Sequence, residues 1–113
     1  MEKPKITSEI KSFVMNYIIR RRAELRNEAI EDAIRAFDCG MCYSCVSDFV
    51  HRTTSTSIGQ VIGAYNLAWN LGVISDNDIE ELCSTVCKMF DDDIIIESAI
   101  NKMKGRKENG YKA

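Results

Sequence analysis

Among 113 residues there is one proline and one histidine, and between residues 53 and 74 there is no charged side chain at all. Each shortage excludes something. A single proline with six glycines argues against a disordered chain or a repeat array. No apolar run reaches the roughly 18 residues that a membrane-spanning helix needs. The opening "MEKPKITSEI" lacks the apolar core of a secretory signal, so a cytoplasmic protein is expected. One histidine, no Gly-rich phosphate loop and no HExxH pair leave no recognisable catalytic constellation, so neither an enzyme nor a cofactor is expected. Apolar and polar residues nowhere alternate in the manner of a strand, which points to an all-α class.

What is present is helical periodicity. Thr7 or Ser8 can cap a first helix with the stripe Ile10, Phe13, Val14, Tyr17 and Ile18. Arg21 is the next residue due on that stripe, so the buried part is expected to end near Ile19. Asn27 is a candidate cap for a second helix, with Ile30, Ala33, Ile34 and Phe37 on its apolar side. Gly40 interrupts it, and a third helix carries Cys42, Cys45, Val46, Phe49 and Val50. The run "TTSTS" (Thr53 to Ser57) reads as a loop. A fourth, uncharged helix covers about 58–71 and ends at Gly72, a natural C′ residue. Ser75 and Asp78 form a capping-box pattern for a fifth, striped by Ile79, Leu82, Cys83, Val86, Cys87 and Phe90. The sixth begins in "DDD", buries Ile95, Ile96, Ala99, Ile100 and Met103, and ends at Gly105. The expected architecture is one compact bundle of five to six helices over residues 1–104, with 105–113 as a frayed basic tail. The uncharged helix stands at its centre, where Gly59 and Gly63 would admit a close neighbour beside Asn66 and Asn70.

Five cysteines are an odd number without the spacing of a secreted disulfide framework. Three of them fall in "DCGMCYSC". In register, Cys42, Cys45, Cys83 and Cys87 take the places that leucine, isoleucine and valine take elsewhere, so the thiols read as core filling. The alternative is a zinc site drawn from Cys39, Cys42, Cys45 and either Cys83 or Cys87, since structural zinc asks for four Cys or His ligands. A redox or disulfide role is the third reading. His51 lies across its helix from Cys42 and is badly placed to join a metal cluster.

Charge is strongly blocked beneath a net −2. Residues 1–26 carry a net +4, residues 75–97 a net −7, and residues 98–113 a net +4. The basic set Arg20, Arg21, Arg22 and Arg26, with Lys102, Lys104, Arg106 and Lys107, could meet phosphates. The stretch "AWNLGVISDNDIEEL" has the outline of a helix-turn-helix, but it is one residue too long after the turn. Its would-be recognition helix also carries Asp76, Asp78, Glu80 and Glu81, which repel DNA. Two surfaces of opposite sign suit association with charged protein partners, or with a second copy of the chain.

"GVIS" followed by the acidic "DNDIEEL" resembles small helical proteins encoded by phages and mobile elements of low-GC bacteria, some of which are anti-CRISPR inhibitors. The resemblance spans residues 58–90 and transfers no functional residue. It implies a non-catalytic regulator that binds a larger protein handling nucleic acid, such as a CRISPR nuclease. The residues expected to carry such binding are Asp76, Asp78, Glu80, Glu81, Asp91, Asp92 and Asp93, with Arg20, Arg21, Arg22 and Arg26 as a second surface.

Overall fold

The computed structural model describes residues 7–110. Among them are four helices, α1 (Ser8–Asp38), α2 (Tyr43–Asn70), α3 (Asp76–Met89) and α4 (Asp92–Gly110), and no strand. The class is all-α as expected, but the five to six helices are four. The first two predicted helices are one, and so are the third and fourth.

The reason is the line of burial. In α2, Val46, Val50, Thr54, Ser57, Val61, Tyr65 and Ala68 are all buried, a three-and-four spacing that holds one face through the supposed loop. The hydroxyls of Thr53, Ser55 and Thr56 donate to the carbonyls of Phe49, His51 and Arg52, four residues back. Side chains that compete with a helix when exposed alone are thus absorbed by its carbonyls. In α1, Leu25 and Ala29 are buried on either side of Asn27, which sits in the helix interior and caps nothing.

Fusing the first two helices has a geometric cost. At about 100° per residue, Ile10, Phe13 and Tyr17 point roughly 140° away from the stripe of Ile30, Ala33, Ile34 and Phe37. One straight helix cannot bury both against the same neighbours. The second stripe wins, joined by Ile18, Leu25 and Ala29, while Ile10, Phe13 and Tyr17 stay exposed. The buried part of the helix therefore starts near Ile18, where the sequence suggested it would end.

Joined by a four-residue turn (39–42), α1 and α2 form an antiparallel hairpin with arms of roughly 46 and 42 Å. The two short helices cover it in succession. α3 closes a cluster of Ile18, Leu25, Val61, Tyr65, Ala68, Ile74, Val86 and Phe90 at the open end. α4 closes a second cluster, in which Ile95, Ile96 and Ala99 meet Ala29, Ile30, Ala33, Ile34, Val46 and Val50 near the turn. The molecule measures 61 × 31 × 19 Å, elongated where a compact bundle was expected. α2 packs against each of the other three helices, but α4 meets it at Val46, Val50 and Thr54, outside the uncharged 58–71 stretch that was expected to be the hub. Gly59 and Gly63, however, face open space, so no helix uses them for a close approach. Among the described residues no helix is long and apolar enough to cross a membrane.

Both long helices end in the same device. Gly40 (φ +86°) and Gly72 (φ +80°) occupy the left-handed C′ position. The amides after them return to Ala36 (3.2 Å) and Ala68 (2.8 Å), the six-to-one bond of a Schellman motif. Gly72→Ala places a Cβ on left-handed backbone and is expected to cost about 1–2 kcal/mol. A lowered urea midpoint with an unchanged slope would show it.

α4 passes Gly105 and continues to Gly110. Arg106 and Lys102 both reach Glu31 on α1, at 2.6 and 3.2 Å, so part of the expected frayed tail is a clasp. Residues 111–113 of that tail lie outside the described residues.

Candidate functional site

The exposed stripe of α1 does not stand alone. A shallow groove of about 210 Å³ runs between α1 and α2, lined by Tyr17, Ile18, Arg21 and Leu25 on one wall and Gln60, Val61 and Ala64 on the other. Leu67 and Leu71 continue the Gln60–Ala64 side of α2 by three and seven residues. Phe13 and Ile10 continue the Tyr17 side of α1 by four and seven. Because the helices are antiparallel, both rows extend toward the open end of the hairpin. All four of these side chains, with Tyr17, are exposed, Phe13 at 72% and Leu67 at 61%. Large apolar side chains gathered on one exposed face are uncommon on a protein that binds nothing.

The four arginines of the basic group do not form one surface. Arg20 stacks over the Tyr17 ring, 5.8 Å from its centroid, and so borders the apolar face. Arg21 turns along the helix to Glu24 (3.2 Å) and Glu28 (3.4 Å). Arg22 is half-buried, its Nη1 donating to the Tyr65 hydroxyl at 3.0 Å, while its buried Nε has no partner. Arg26, also half-buried, lines a separate groove with Lys88, Met89 and Ile94.

The acidic residues divide too. Asp76 accepts the indole N–H of the exposed Trp69 at 2.6 Å, which holds that ring against the start of α3. Ser75 is the N-cap of α3, yet its hydroxyl donates to the Asp78 carboxylate and no amide bonds to it, so the capping box is incomplete. Glu80 and Glu81 are exposed and form no ion pair among the described residues. The other acidic group has structural work. Asp91 accepts from the amides of Asp93 and Ile94 at the start of α4. Asp92 receives the Thr54 hydroxyl (2.7 Å) and contacts His51 Nδ1 (2.8 Å), tying α4 to the middle of α2. Only Asp93 of the three is left facing solvent without such a bond. Thr54→Val removes the buried donor to Asp92 at similar shape, and is expected to cost about 1–3 kcal/mol in chemical unfolding.

The cysteines correct the core reading. Cys39, Cys42, Cys45 and Cys87 are exposed, and Cys83 alone is half-buried against the open-end cluster, where burial pushes its thiol pKa up. The cause is again the continuity of α2. Its long buried line passes through Val46 and Val50, and that rotates Cys45 to the solvent side. Among the described residues no three His, Cys, Asp or Glu side chains gather to hold a metal ion.

No protein-family model matches the chain, and neither does any curated protein or any solved structure.

Proposed function

We propose that the chain is a non-catalytic protein-binding module that docks on a larger partner through the apolar face shared by Ile10, Phe13 and Tyr17 of α1 and Leu67 and Leu71 of α2. The observation that carries this reading is the opposition of phase within α1. Ile10, Phe13 and Tyr17 of the first stripe are turned outward on a rigid helix while Ile18 is buried, and aromatic side chains of this kind dominate the energetics of protein interfaces. Arg20 borders the face on one side, and Asp76, Asp78, Glu80 and Glu81 begin α3 at the same end of the hairpin.

That acidic start sets the partner's chemistry as an apolar helix or groove flanked by basic side chains. A protein that handles nucleic acid presents such a surface, and carboxylates there would occupy places meant for phosphates. An inhibitor of the anti-CRISPR type is the specific form suggested by the resemblance of residues 58–90. A cytoplasmic setting fits five unbridged cysteines.

The test begins with a photo-crosslinking residue at position 10 of the full chain, followed by purification of the captured protein. Against that purified partner, the double variant F13D/Y17D is expected to bind about 100-fold more weakly with unchanged helicity, as for two interface anchors. Reversal of Glu80 and Glu81 to lysine is expected to slow association and flatten its salt dependence. Unchanged affinity for F13D/Y17D, or a crosslink joining only two copies of this chain, refutes the proposal.

A further inference from the structure

Away from the apolar face, at the closed end of the hairpin, the first turn of α2 holds two thiols together. Cys42 is the N-cap residue, with extended backbone (φ −70°, ψ 162°), and its sulfur accepts the Cys45 amide at 3.5 Å. The Cys45 sulfur lies 3.2 Å from the Cys42 sulfur, and both side chains are exposed. We propose that Cys42 and Cys45 form a redox-active dithiol that closes reversibly to a disulfide by exchange with a low-molecular-weight disulfide. This is independent of the docking face.

The spacing is that of a Cys-x-x-Cys turn opening a helix, here "CYSC". Such a turn lowers the pKa of its first thiol, because the free helix amides and the positive end of the helix dipole face that sulfur. α2 has 28 residues, and its first turn contains no acidic side chain to oppose the effect. The two thiols are accordingly unequal. The Cys45 amide, and then the Cys45 thiol, bond to the Cys42 sulfur and lower its pKa. Donating to Cys42 raises the pKa of Cys45, and the neighbouring charge of Asp48 adds to this. Once Cys42 is ionised, the contact can run only from the Cys45 thiol to the Cys42 thiolate. The pair therefore has an attacking and a resolving member.

The exchange balances in two steps. The Cys42 thiolate attacks one sulfur of the small disulfide, forming a mixed disulfide and releasing one small thiolate. Cys45 then loses its proton to solvent and attacks the Cys42 sulfur, releasing the second small thiolate. Two electrons pass from the protein dithiol to the small disulfide, and excess small thiol reverses both steps. Closure asks the sulfurs to approach from 3.2 Å to about 2.05 Å, a shift within reach of side-chain rotation in an exposed turn. Cys39 stands at the same spacing before Cys42 but belongs to the end of α1 as its C-cap, with no sulfur contact to Cys42.

The experiment incubates the full chain in a series of glutathione to glutathione disulfide ratios, traps free thiols by alkylation and maps the products by mass spectrometry. The expected result is loss of two hydrogens from the tryptic segment 36–52 in the wild type and in Cys39→Ser, and no such loss in Cys42→Ser or Cys45→Ser. Cys45→Ser is expected to accumulate glutathione on Cys42, because the resolving thiol is gone. Near neutral pH, Cys42 is expected to alkylate about tenfold faster than Cys45 or Cys39. Serine keeps an N-cap oxygen at position 42, so that variant should remain helical, and circular dichroism verifies it. A bridge between Cys39 and Cys42, glutathione additions without any internal bridge, or equal alkylation rates at the three thiols would overturn the assignment.

Discussion

Tyr65→Ala is expected to destabilise the protein by about 3–5 kcal/mol, a large part of the stability of any small domain. Tyr65 has no exposed surface and stands in the open-end cluster with Ile18, Leu25, Val61, Val86 and Phe90. Truncation leaves a cavity where three helices meet. It also strips the Arg22 guanidinium of the hydroxyl it bonds at 3.0 Å, and the Arg22 Nε beside it already lacks a partner. Tyr65→Phe separates the two effects, because it keeps the ring and removes only the acceptor. Its expected cost is about 1–3 kcal/mol. Urea unfolding of both variants, with wild-type slopes, measures the difference. A Tyr65→Ala cost no larger than that of Tyr65→Phe would mean that the ring does not hold this end of the hairpin together.

Ser55→Pro distinguishes a continuous α2 from the two helices and a loop that "TTSTS" suggests. Ser55 is exposed, so no core contact is lost, and both its amide and its hydroxyl are directed back at the His51 carbonyl. Proline there deletes the amide bond, drives its ring into that carbonyl and pushes Thr54 away from helical backbone. The expected penalty is about 3 kcal/mol or more. It should be accompanied by loss of the Thr54–Asp92 bond, and hence by loosening of the start of α4, visible as faster amide exchange at residues 94 to 96. A proline tolerated at this position, with stability unchanged, would restore the loop.

Much of the secondary structure was legible residue by residue. The Thr7 cap, the Gly72 stop and the burial of Ile95, Ile96 and Ala99 all follow from local chemistry, and the coordinates agree with each. The errors lie where local signals are polar but burial continues through them. Asn27 and the Thr–Ser run look like breaks because their side chains favour caps and turns in isolation. Packing against the neighbouring helices, with the Thr54–Asp92 bond to α4, makes it favourable to keep this run helical. The candidate face was less legible. The stripe of Ile10, Phe13 and Tyr17 is visible in sequence, but it reads as core until the continuity of α1 is known. The two phases, compared across Asn27, were the signal that could have found it. For the cysteines the spacing was visible and the environment was not, because a rotation of α2 by less than a quarter turn decides whether Cys45 meets core or water.

By itself, then, the chain determined its helical class, the Thr7 cap, the stops at Gly40 and Gly72, and the residues able to form an apolar seam, since these depend on neighbours within a turn or two. The tertiary arrangement decided how many helices there are, which of two opposed stripes on α1 is covered, and which thiols see solvent. A helix is stiff, so once its longer seam is buried against α2, α3 and α4, every other side chain on it faces wherever that one choice leaves it.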